Sequence, residues 1–184
     1  VLLHVNPQPR KGTHILIKAV AKIKRILGND FTVLIAGKLR PKSYKRFIKD
    51  MIKGLKLNDN VKLLGYVEDE ILPALYNAAD MTIVPSYSEG SPLVIPESLA
   101  CGTPVVATNV GGNPEYLSMI GLRDLLIEVT KYSFEFKLGN RIMYALENAD
   151  YYHQKVLAHL YKIPSWEAVA KQYKEVITTI AIHV

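Results

Sequence analysis

The sequence predicts an α/β protein built on a doubly wound parallel sheet with helices on both faces. Short apolar runs, each long enough for one buried strand, alternate with longer stretches of helical periodicity. Glycine, proline and asparagine stand between these segments and mark the turns. With 184 residues, 49% of them hydrophobic, the chain is long enough for one domain with a substantial core.

The predicted strands are apolar runs of the kind that a parallel sheet buries on both faces. They lie at residues 1–5, 31–36, 61–64, 81–84, 105–108 and 125–129. Such strands are joined by right-handed crossovers, and ligands bind beyond their carboxyl ends. We therefore expect the turns at Lys11, Gly37, Gly65, Glu89 and Gly111 to meet at one edge of the sheet.

Helices are predicted wherever apolar residues recur every three or four positions. Thr13 is expected to cap a helix that runs to Leu27 with Ile26 on its apolar face, and a second apolar stripe runs from Tyr44 to Leu55. Further helical stretches lie at residues 71–79, 92–100 and 138–149. The final helix, which Ser165 is expected to cap, carries on its apolar face Trp166, Val169, Tyr173, Val176 and Ile177.

A polar loop at residues 86–91 leads into a helix that is expected to begin near Pro92. Ser91 is a natural N-cap, and Pro92 suits the first helical position because an N–H there has no intrahelical partner. Pro96 is expected at the edge of the first turn, where it could kink the helix. Backbone N–H groups and the helix dipole would favour an anion at this corner.

Two carboxylates belong to this corner, Glu89 in the loop and Glu97 roughly two turns into the helix. They could be ordinary acids that favour a helix N-terminus. They could also hold the hydroxyls of a ligand whose phosphates rest on the helix. Because Ile95 and Leu99 beside it are apolar, the Glu97 carboxylate must point to a partner or to an opening, which favours the second interpretation.

Several kinds of site are excluded. Cys101 is the only cysteine, so neither an internal disulfide nor a multi-cysteine metal site can form. The histidines show no metal-binding spacing, and His4 is expected to be a packed strand residue, so we predict no metal site. No apolar run is long enough to cross a bilayer and no signal peptide opens the sequence, which predicts a cytoplasmic protein.

The formal net charge is +6, with a basic excess at residues 38–56. A solvated helix face, an anionic membrane and a nucleic acid are the competing interpretations. We favour the solvated face, because Lys42, Lys45 and Lys49 are helically spaced opposite the apolar stripe. Base-stacking aromatic residues do not interleave with them, which argues against nucleic acid. Peripheral membrane contact of a full-length protein stays open.

The loop and helix lie within a longer motif. It reads Pro85-Ser86, Glu89-Gly90, Glu97, Ala100, Gly102-Thr103-Pro104-Val105-Val106-Ala107-Thr108, Gly111-Gly112 and Pro114-Glu115. This pattern resembles the second, C-terminal domain of family-4 retaining glycosyltransferases of GT-B architecture. Matches to further family motifs, which extend the resemblance over most of residues 1–180, are Arg10-Lys11-Gly12, residues 61–67, residues 75–80, and Trp166 with Tyr173.

The resemblance implies a Rossmann-like fold that binds a UDP-, GDP- or ADP-sugar donor without a metal or another cofactor. Lys11 would neutralise the diphosphate, with Arg10 and Gly12 beside it. The main chain around Tyr66 and Val67 would meet the base. Lysine and a helix N-terminus can stabilise a diphosphate leaving group while positive charge develops on the sugar.

The resemblance also implies roles for the corner after the fourth strand. Glu97 would take the ribose hydroxyls, and Glu89 would take hydroxyls of the donor sugar. Leu93, next to Ser91 at the expected start of the helix, would offer a main-chain N–H to a phosphate. Lys11 and Glu89 are thus the expected catalytic residues.

One departure from the family pattern bears on turnover. Family members carry Gly-Arg at the end of the first strand, and this arginine also holds the diphosphate. Here Val5-Asn6 stands in that place, and Arg10 in the following loop is the available substitute. The alternative hypothesis is therefore a binding or regulatory module that keeps the fold without turnover. A dinucleotide-binding oxidoreductase is disfavoured, because no Gly-x-Gly-x-x-Gly follows the first strand.

The sequence starts at Val1, already in a strand-like run. We expect residues 1–184 to be a single donor-binding domain and the N-terminal acceptor domain to be absent from this chain. That other domain would present a glycan, a lipid-linked or a small-molecule acceptor. The donor-binding half alone is then expected to be inactive as a transferase.

Overall fold

The computed structural model describes residues 1–182, with side chains described through residue 179. Its strands are β1 (Leu2–Val5), β2 (Val33–Ala36), β3 (Val61–Gly65), β4 (Met81–Val84), β5 (Val105–Thr108) and β6 (Leu126–Ile127). They form one parallel sheet in the order β3-β2-β1-β4-β5-β6. The predicted fold class is confirmed, and the strand order reverses between β1 and β4, the point at which open α/β sheets bind ligands.

Helices cover both faces of this sheet. They are α1 (Thr13–Leu27), α2 (Lys42–Gly54), α3 (Leu72–Asn77), α4 (Val94–Ala100), α5 (Asn113–Met119), α6 (Phe134–Glu147), α7 (Ala149–Ala158) and α8 (Trp166–Ile182). Helix α1 packs against α2 and α6, whereas α3 packs against α4. This division follows from the right-handed crossovers, which change faces where the strand order reverses.

Two strands are shorter than predicted. Strand β2 begins at Val33 because the carbonyl of the buried Phe31 accepts a hydrogen bond from the Asn60 side chain, at 3.1 Å, in place of a strand partner. Strand β6 has only two residues, because Arg123–Leu125 forms a 3-10 turn immediately before it. In the first case a tertiary hydrogen bond, and in the second a local turn, replaces the ladder that an apolar run would otherwise form.

The prediction that Thr13 caps α1 is wrong. Thr13 is the first residue of the helix, Gly12 precedes it with φ 70°, and the Thr13 hydroxyl lies 2.9 Å from Nε2 of His4. The helix follows a tight 3-10 turn at Pro9–Lys11, which sets its start. Ile26 is also misplaced on the predicted apolar face, because it is 69% exposed while Ile23 is the last buried residue of α1.

Ser165 caps α8 as predicted, since its hydroxyl accepts a hydrogen bond from the N–H of Ala168 at 3.2 Å. The apolar face of this helix, however, does not enter the core. Trp166 is 70% and Tyr173 68% exposed, and Val176 and Ile177 are exposed as well. A sequence pattern identifies an apolar face but not whether the same domain covers it.

Helix α1 begins where the loop after β1 passes directly against the end of β4. A Cβ atom at Gly12 would lie 2.0 Å from the carbonyl oxygen of Pro85, so only glycine permits this approach. The backbone of Gly12 is also left-handed, with φ +70°, which disfavours other residues. Gly12 therefore holds these two loops together at the edge of the sheet.

Gly12→Ala should lower the free energy of unfolding by about 1–3 kcal/mol more than Gly65→Ala, because the added methyl group overpacks the contact with Pro85. Gly65 is the matched control: its φ is +75°, and a Cβ atom there meets nothing within 4 Å. Urea unfolding of both variants measures the difference. Equal losses would mean that φ strain, and not the close approach, determines the cost at Gly12.

Candidate functional site

A cavity of about 680 Å³ opens at the carboxyl edge of the sheet, where the strand order reverses. The loops after β1, β2, β3 and β4 form its walls. Of the residues predicted for the site, those that line it are Arg10, Lys11, Tyr66, Val67, Glu89, Ser91, Leu93 and Glu97. Gly12 lies behind the wall, against Pro85. The tertiary structure thus brings the two predicted carboxylates into one cleft.

The floor of this cavity contains an ion pair between Lys11 and Glu89. The Lys11 ammonium donates to both carboxylate oxygens of Glu89 at 2.7 Å, and the Ser86 hydroxyl donates to Oε1 at 2.6 Å. Only 10% of the Lys11 side chain and 3% of the Glu89 side chain are exposed. Both side chains are therefore fixed, and the Glu89 carboxylate faces Lys11 rather than the open cavity.

Arg10 supplies a more accessible positive charge beside this pair. Its side chain is 57% exposed, and its Nη1 lies 3.7 Å from Oε2 of Glu89. The same nitrogen donates to the carbonyl of Ser88 at 3.2 Å. Because Glu89 already balances the charge of Lys11, the guanidinium of Arg10 contributes the net positive charge at this end of the cavity.

The loop that carries Glu89 is held from both sides by main-chain contacts. On one side the N–H of Tyr87 donates to the carbonyl of Arg10 at 2.8 Å. On the other, the N–H of Gly112 donates to the carbonyl of Gly90 at 2.8 Å, and a Cβ atom at Gly111 would lie 1.8 Å from the carbonyl oxygen of Glu89. The glycine pair after β5 is therefore required for the position of this loop.

Helix α4 begins later than predicted. It starts at Val94, and its first intrahelical bond runs from the N–H of Glu97 to the carbonyl of Leu93 at 3.0 Å. The expected N-cap role of Ser91 is wrong, because its hydroxyl pairs with that of Tyr116 at 3.0 Å and caps no helix. With this start, Pro96 falls within the first turn, where its missing N–H breaks no bond.

The later start also corrects the position of Glu97, which lies in the first turn of α4 and not two turns in. Its Oε2 accepts a hydrogen bond from the hydroxyl of Tyr76 at 2.8 Å. Burial of Tyr76, and then the charge of Glu97, raise the pKa of this phenol far above its usual value. Tyr76 thus stays protonated and donates, which leaves the other Glu97 oxygen for a ligand.

The sequence did not predict Tyr76 as a site residue, although residues 75–80 match one of the family motifs. The sequence signal was present, but its function depends on the packing of α3 against α4. Further polar residues that line the cavity and were not predicted are Gln8, Lys38, Arg40 and Asp69. They come from three separate loops, so no local spacing connects them.

His4 lies beneath the ion pair and is 2% exposed. Its Nδ1 lies 2.9 Å from the carbonyl of Ile83, to which it donates, and its Nε2 lies 2.9 Å from the Thr13 hydroxyl. Burial is the main cause that lowers the pKa of His4 to about 4. The imidazole is therefore neutral near pH 7 and joins three structural elements, in agreement with its expected role as a packed strand residue.

Among residues 1–182, no three histidine, cysteine, aspartate or glutamate side chains are grouped so that they could hold a metal ion. Over the same residues, none of the helices is both long enough and apolar enough to pass through a bilayer.

Known proteins resemble this chain in sequence and in fold. A family model described as "Glycosyl transferases group 1" matches residues 5–155. Over 110 residues the chain is 40% identical to the D-inositol 3-phosphate glycosyltransferase of Salinispora tropica, which covers 57% of this chain and 23% of that enzyme. The matched segment is thus about a quarter of the relative's length.

Solved structures match over nearly the whole chain. Sucrose-phosphate synthase from Thermosynechococcus elongatus has a TM-score of 0.82 at 26% identity, covering 100% of this chain and 46% of that one. Anabaena Alr3699/HepE in complex with UDP-glucose has a TM-score of 0.81 at 24% identity, covering 97% of this chain and 48% of that one. The chain therefore spans about half the length of these proteins.

The thiol of Cys101 provides a test of the Glu97 environment. Burial raises the pKa of the Cys101 thiol, and the negative charge of Glu97 raises it further. Glu97→Gln should therefore lower the pKa of Cys101 and speed its alkylation by iodoacetamide at a given alkaline pH, because the thiolate loses a repelling neighbour. Since Cys101 is the only cysteine, the rate reports on one site.

The control for this measurement is Glu115→Gln, which changes an exposed glutamate in the first turn of α5. Its alkylation profile should match that of the unmodified protein. If the profile of Glu97→Gln also matches, the Glu97 carboxylate does not lie near the thiol, and the described position of the side chain is wrong.

Proposed function

The chain belongs to the group 1 glycosyl transferases, and from that premise we propose that it binds a nucleotide diphosphate sugar as the donor domain of a retaining GT-B enzyme. The observation that carries the proposal is the single cavity at the switch point of the sheet, with Arg10 and Lys11 on one side and Glu97 on the other. Cationic groups suit a diphosphate, and a fixed carboxylate suits the hydroxyls of a ribose.

Each side of the cavity has a proposed role. Lys11 and Arg10 bind the diphosphate, the main chain at Tyr66 and Val67 meets the base, and Glu97 accepts hydrogen bonds from ribose hydroxyls. Ser91 and Leu93 line the wall between them and contribute polar atoms to the phosphates.

Glu89 serves this site in two ways. It holds the Lys11 ammonium in place through two bonds of 2.7 Å. The family resemblance also implies that the Glu89 carboxylate contacts the donor sugar. For this contact the sugar must reach the Lys11–Glu89 pair at the floor of the cavity. We propose that the sugar lies there, next to the groups that bind the departing diphosphate.

The chemistry follows from where charge develops. Breaking the bond between the sugar and the diphosphate leaves positive charge on the sugar and negative charge on the leaving group. Lys11 and Arg10 stabilise the leaving group, and because the ion pair already fixes Lys11, little reorganisation of that side chain is needed at that moment. His4 beneath them is buried, and both of its ring nitrogens have hydrogen-bond partners, so we assign it no role in proton transfer.

A non-catalytic nucleotide-sugar-binding module is the second candidate, and Asn6 is the observation that favours it. Asn6 lines the cavity where the family carries arginine, and its amide oxygen accepts a bond from Gln8 at 3.0 Å. Arg10 lines the same cavity and brings a guanidinium to it from the next loop. We therefore favour the enzyme, in which Arg10 replaces the missing arginine.

The partners follow from this proposal. UDP-glucose, which the Anabaena neighbour binds, is the first donor to test, with GDP- and ADP-sugars beside it. The acceptor, whether a glycan, a lipid-linked or a small molecule, would be oriented by a second domain, so this domain alone would bind a donor without transferring sugar. Cytoplasmic location, peripheral membrane contact and independence of metals stay predictions.

Lys11→Ala should weaken the binding of UDP by about 1.5–3 kcal/mol while changing uridine binding little, because it removes a charged contact to the phosphates. Calorimetric titration measures both ligands. Lys18→Ala, an exposed lysine of α1, is the matched control. Since the substitution leaves the Glu89 carboxylate unpaired, Lys11→Ala combined with Glu89→Gln is measured too. Equal losses for UDP and uridine in both variants would show that Lys11 acts structurally.

Glu97→Gln should weaken UDP more than 2′-deoxy-UDP, because the ribose loses a charged acceptor. Tyr76→Phe should reduce the same preference by about 0.5–1.5 kcal/mol, since Glu97 loses the hydrogen bond that orients it. Tyr152→Phe is the control, as this buried tyrosine donates to the Asp124 carboxylate away from the cavity.

Differential scanning fluorimetry accompanies these titrations. A collapse of the melting temperature of Glu97→Gln without ligand would identify the residue as a structural element of α4. An unchanged preference for ribose in Tyr76→Phe would show that Tyr76 does not orient Glu97 for binding.

A further inference from the structure

A second cavity, of about 510 Å³, lies beside the first along α2. Its walls come from α2 and from the ends of β2 and β3, and its floor includes Ile35, Leu39 and Leu63. The cationic residues that line it are Lys38, Arg40, Lys42, Lys45 and Lys49. Positive groups from a loop and a helix therefore converge on one concave surface.

No acidic side chain lines this cavity. Among the described residues, the side chains of Lys42, Lys45 and Lys49 make no ion pair and no hydrogen bond. The three lysines stand three and four positions apart on one stripe of α2, where like charges repel and destabilise a helix. An anion in the cavity would remove that repulsion.

The solvated helix face that the sequence favoured is confirmed, because Lys42, Lys45 and Lys49 are exposed. The fold adds that this lysine stripe lines one cavity together with the loop that carries Lys38 and Arg40. Lys38 also lies 4.7 Å from the centre of the Tyr66 ring, at the boundary that the two cavities share. The sequence could not show this, because the two cationic segments meet only through the fold.

We propose that this second cavity binds a compact polyanion that carries two or more phosphate groups. Lysine ammonium groups bind phosphate oxygens as point charges, and Arg40 can add a forked contact. The concave shape suits a compact group better than an extended strand. Tyr66 is the one aromatic ring of the lining, and Lys38 lies over one face of it, so the cavity offers no series of rings on which successive bases could stack.

The site adjoins the proposed donor site, with Lys38, Arg40 and Tyr66 lining both cavities, but it does not depend on the proposed function. Lys42, Lys45 and Lys49 do not line the first cavity, and Lys11 and Glu97 do not line the second. Variants of the α2 lysines should therefore change polyanion binding and leave UDP binding unchanged. A soluble polyphosphate and the headgroup of a phosphorylated lipid offer the same chemistry.

The test is a calorimetric titration with inorganic triphosphate in the presence of saturating UDP, which fills the first cavity. Lys45→Glu with Lys49→Glu should weaken triphosphate binding by at least about tenfold, because two contacts become repulsive. Lys171→Glu with Lys174→Glu, which reverses two exposed lysines of α8, is the control and should change little. Raising the salt concentration should weaken binding to the unmodified protein.

The same titration without UDP, in the unmodified protein and in the Lys11→Ala, Glu89→Gln variant, separates this proposal from the donor proposal. If the unmodified protein does not bind UDP but its triphosphate binding still depends on Lys45 and Lys49, the second site stands and the donor proposal falls. Triphosphate binding that is lost in the Lys11→Ala, Glu89→Gln variant would place the anion in the first cavity and overturn the second site. If the Lys45→Glu, Lys49→Glu variant does not fold, the Lys45→Ala, Lys49→Ala variant is used in its place. The melting temperature of each variant shows whether it folds.

Vesicle sedimentation identifies the source of the phosphates. The protein is tested with phosphatidylcholine vesicles that contain phosphatidylinositol bisphosphate. Binding that triphosphate competes away and that the α2 variants lose supports the site with a lipid ligand. Triphosphate binding without vesicle binding supports it with a soluble ligand. Equal triphosphate affinity in the α2 variant and the α8 control overturns the proposal. The proposal is also overturned if single-stranded DNA binds more tightly than triphosphate and the α2 variants abolish that DNA binding.

Discussion

The buried ion pair between Lys11 and Glu89 is the interaction on which the site depends. It joins the loop after β1 to the loop after β4, the two strands between which the sheet order reverses. A buried carboxylate left without its partner costs about 3–5 kcal/mol, so neither residue can be removed alone without loss. Ser86 adds a third donor, and the neutral His4 below adds no competing charge.

Close main-chain approaches give this ion pair its fixed surroundings. Gly12 permits contact with Pro85 on one side of the Glu89 loop, and Gly111 permits contact with Glu89 itself on the other. The loop is therefore held by backbone groups as well as by the ion pair. Rigid placement of this kind is what a binding site for a charged leaving group requires.

Charge is distributed unevenly around the edge of the sheet. In the first cavity the cations are matched by Glu89, Glu97 and Asp69, which leaves a moderate positive excess suited to one diphosphate. In the second cavity no acid balances the lysines of α2. The net charge of +6 thus reflects, in part, a local concentration of positive groups beside the candidate donor site and not a uniform surface property.

The sequence by itself determined the parallel sheet, most strand positions, and the membership of Glu89 and Glu97 in one motif. These features depend on local periodicity, turn residues and spacing, which a linear pattern records directly. Tertiary structure alone decided that Glu89 faces Lys11, that Tyr76 orients Glu97, that α4 begins at Val94, and that the α2 lysines face Lys38 across a cavity. Each of these outcomes depends on contacts between segments that are distant in the chain. The free energy of such contacts is set by tertiary packing, which a local sequence pattern does not record.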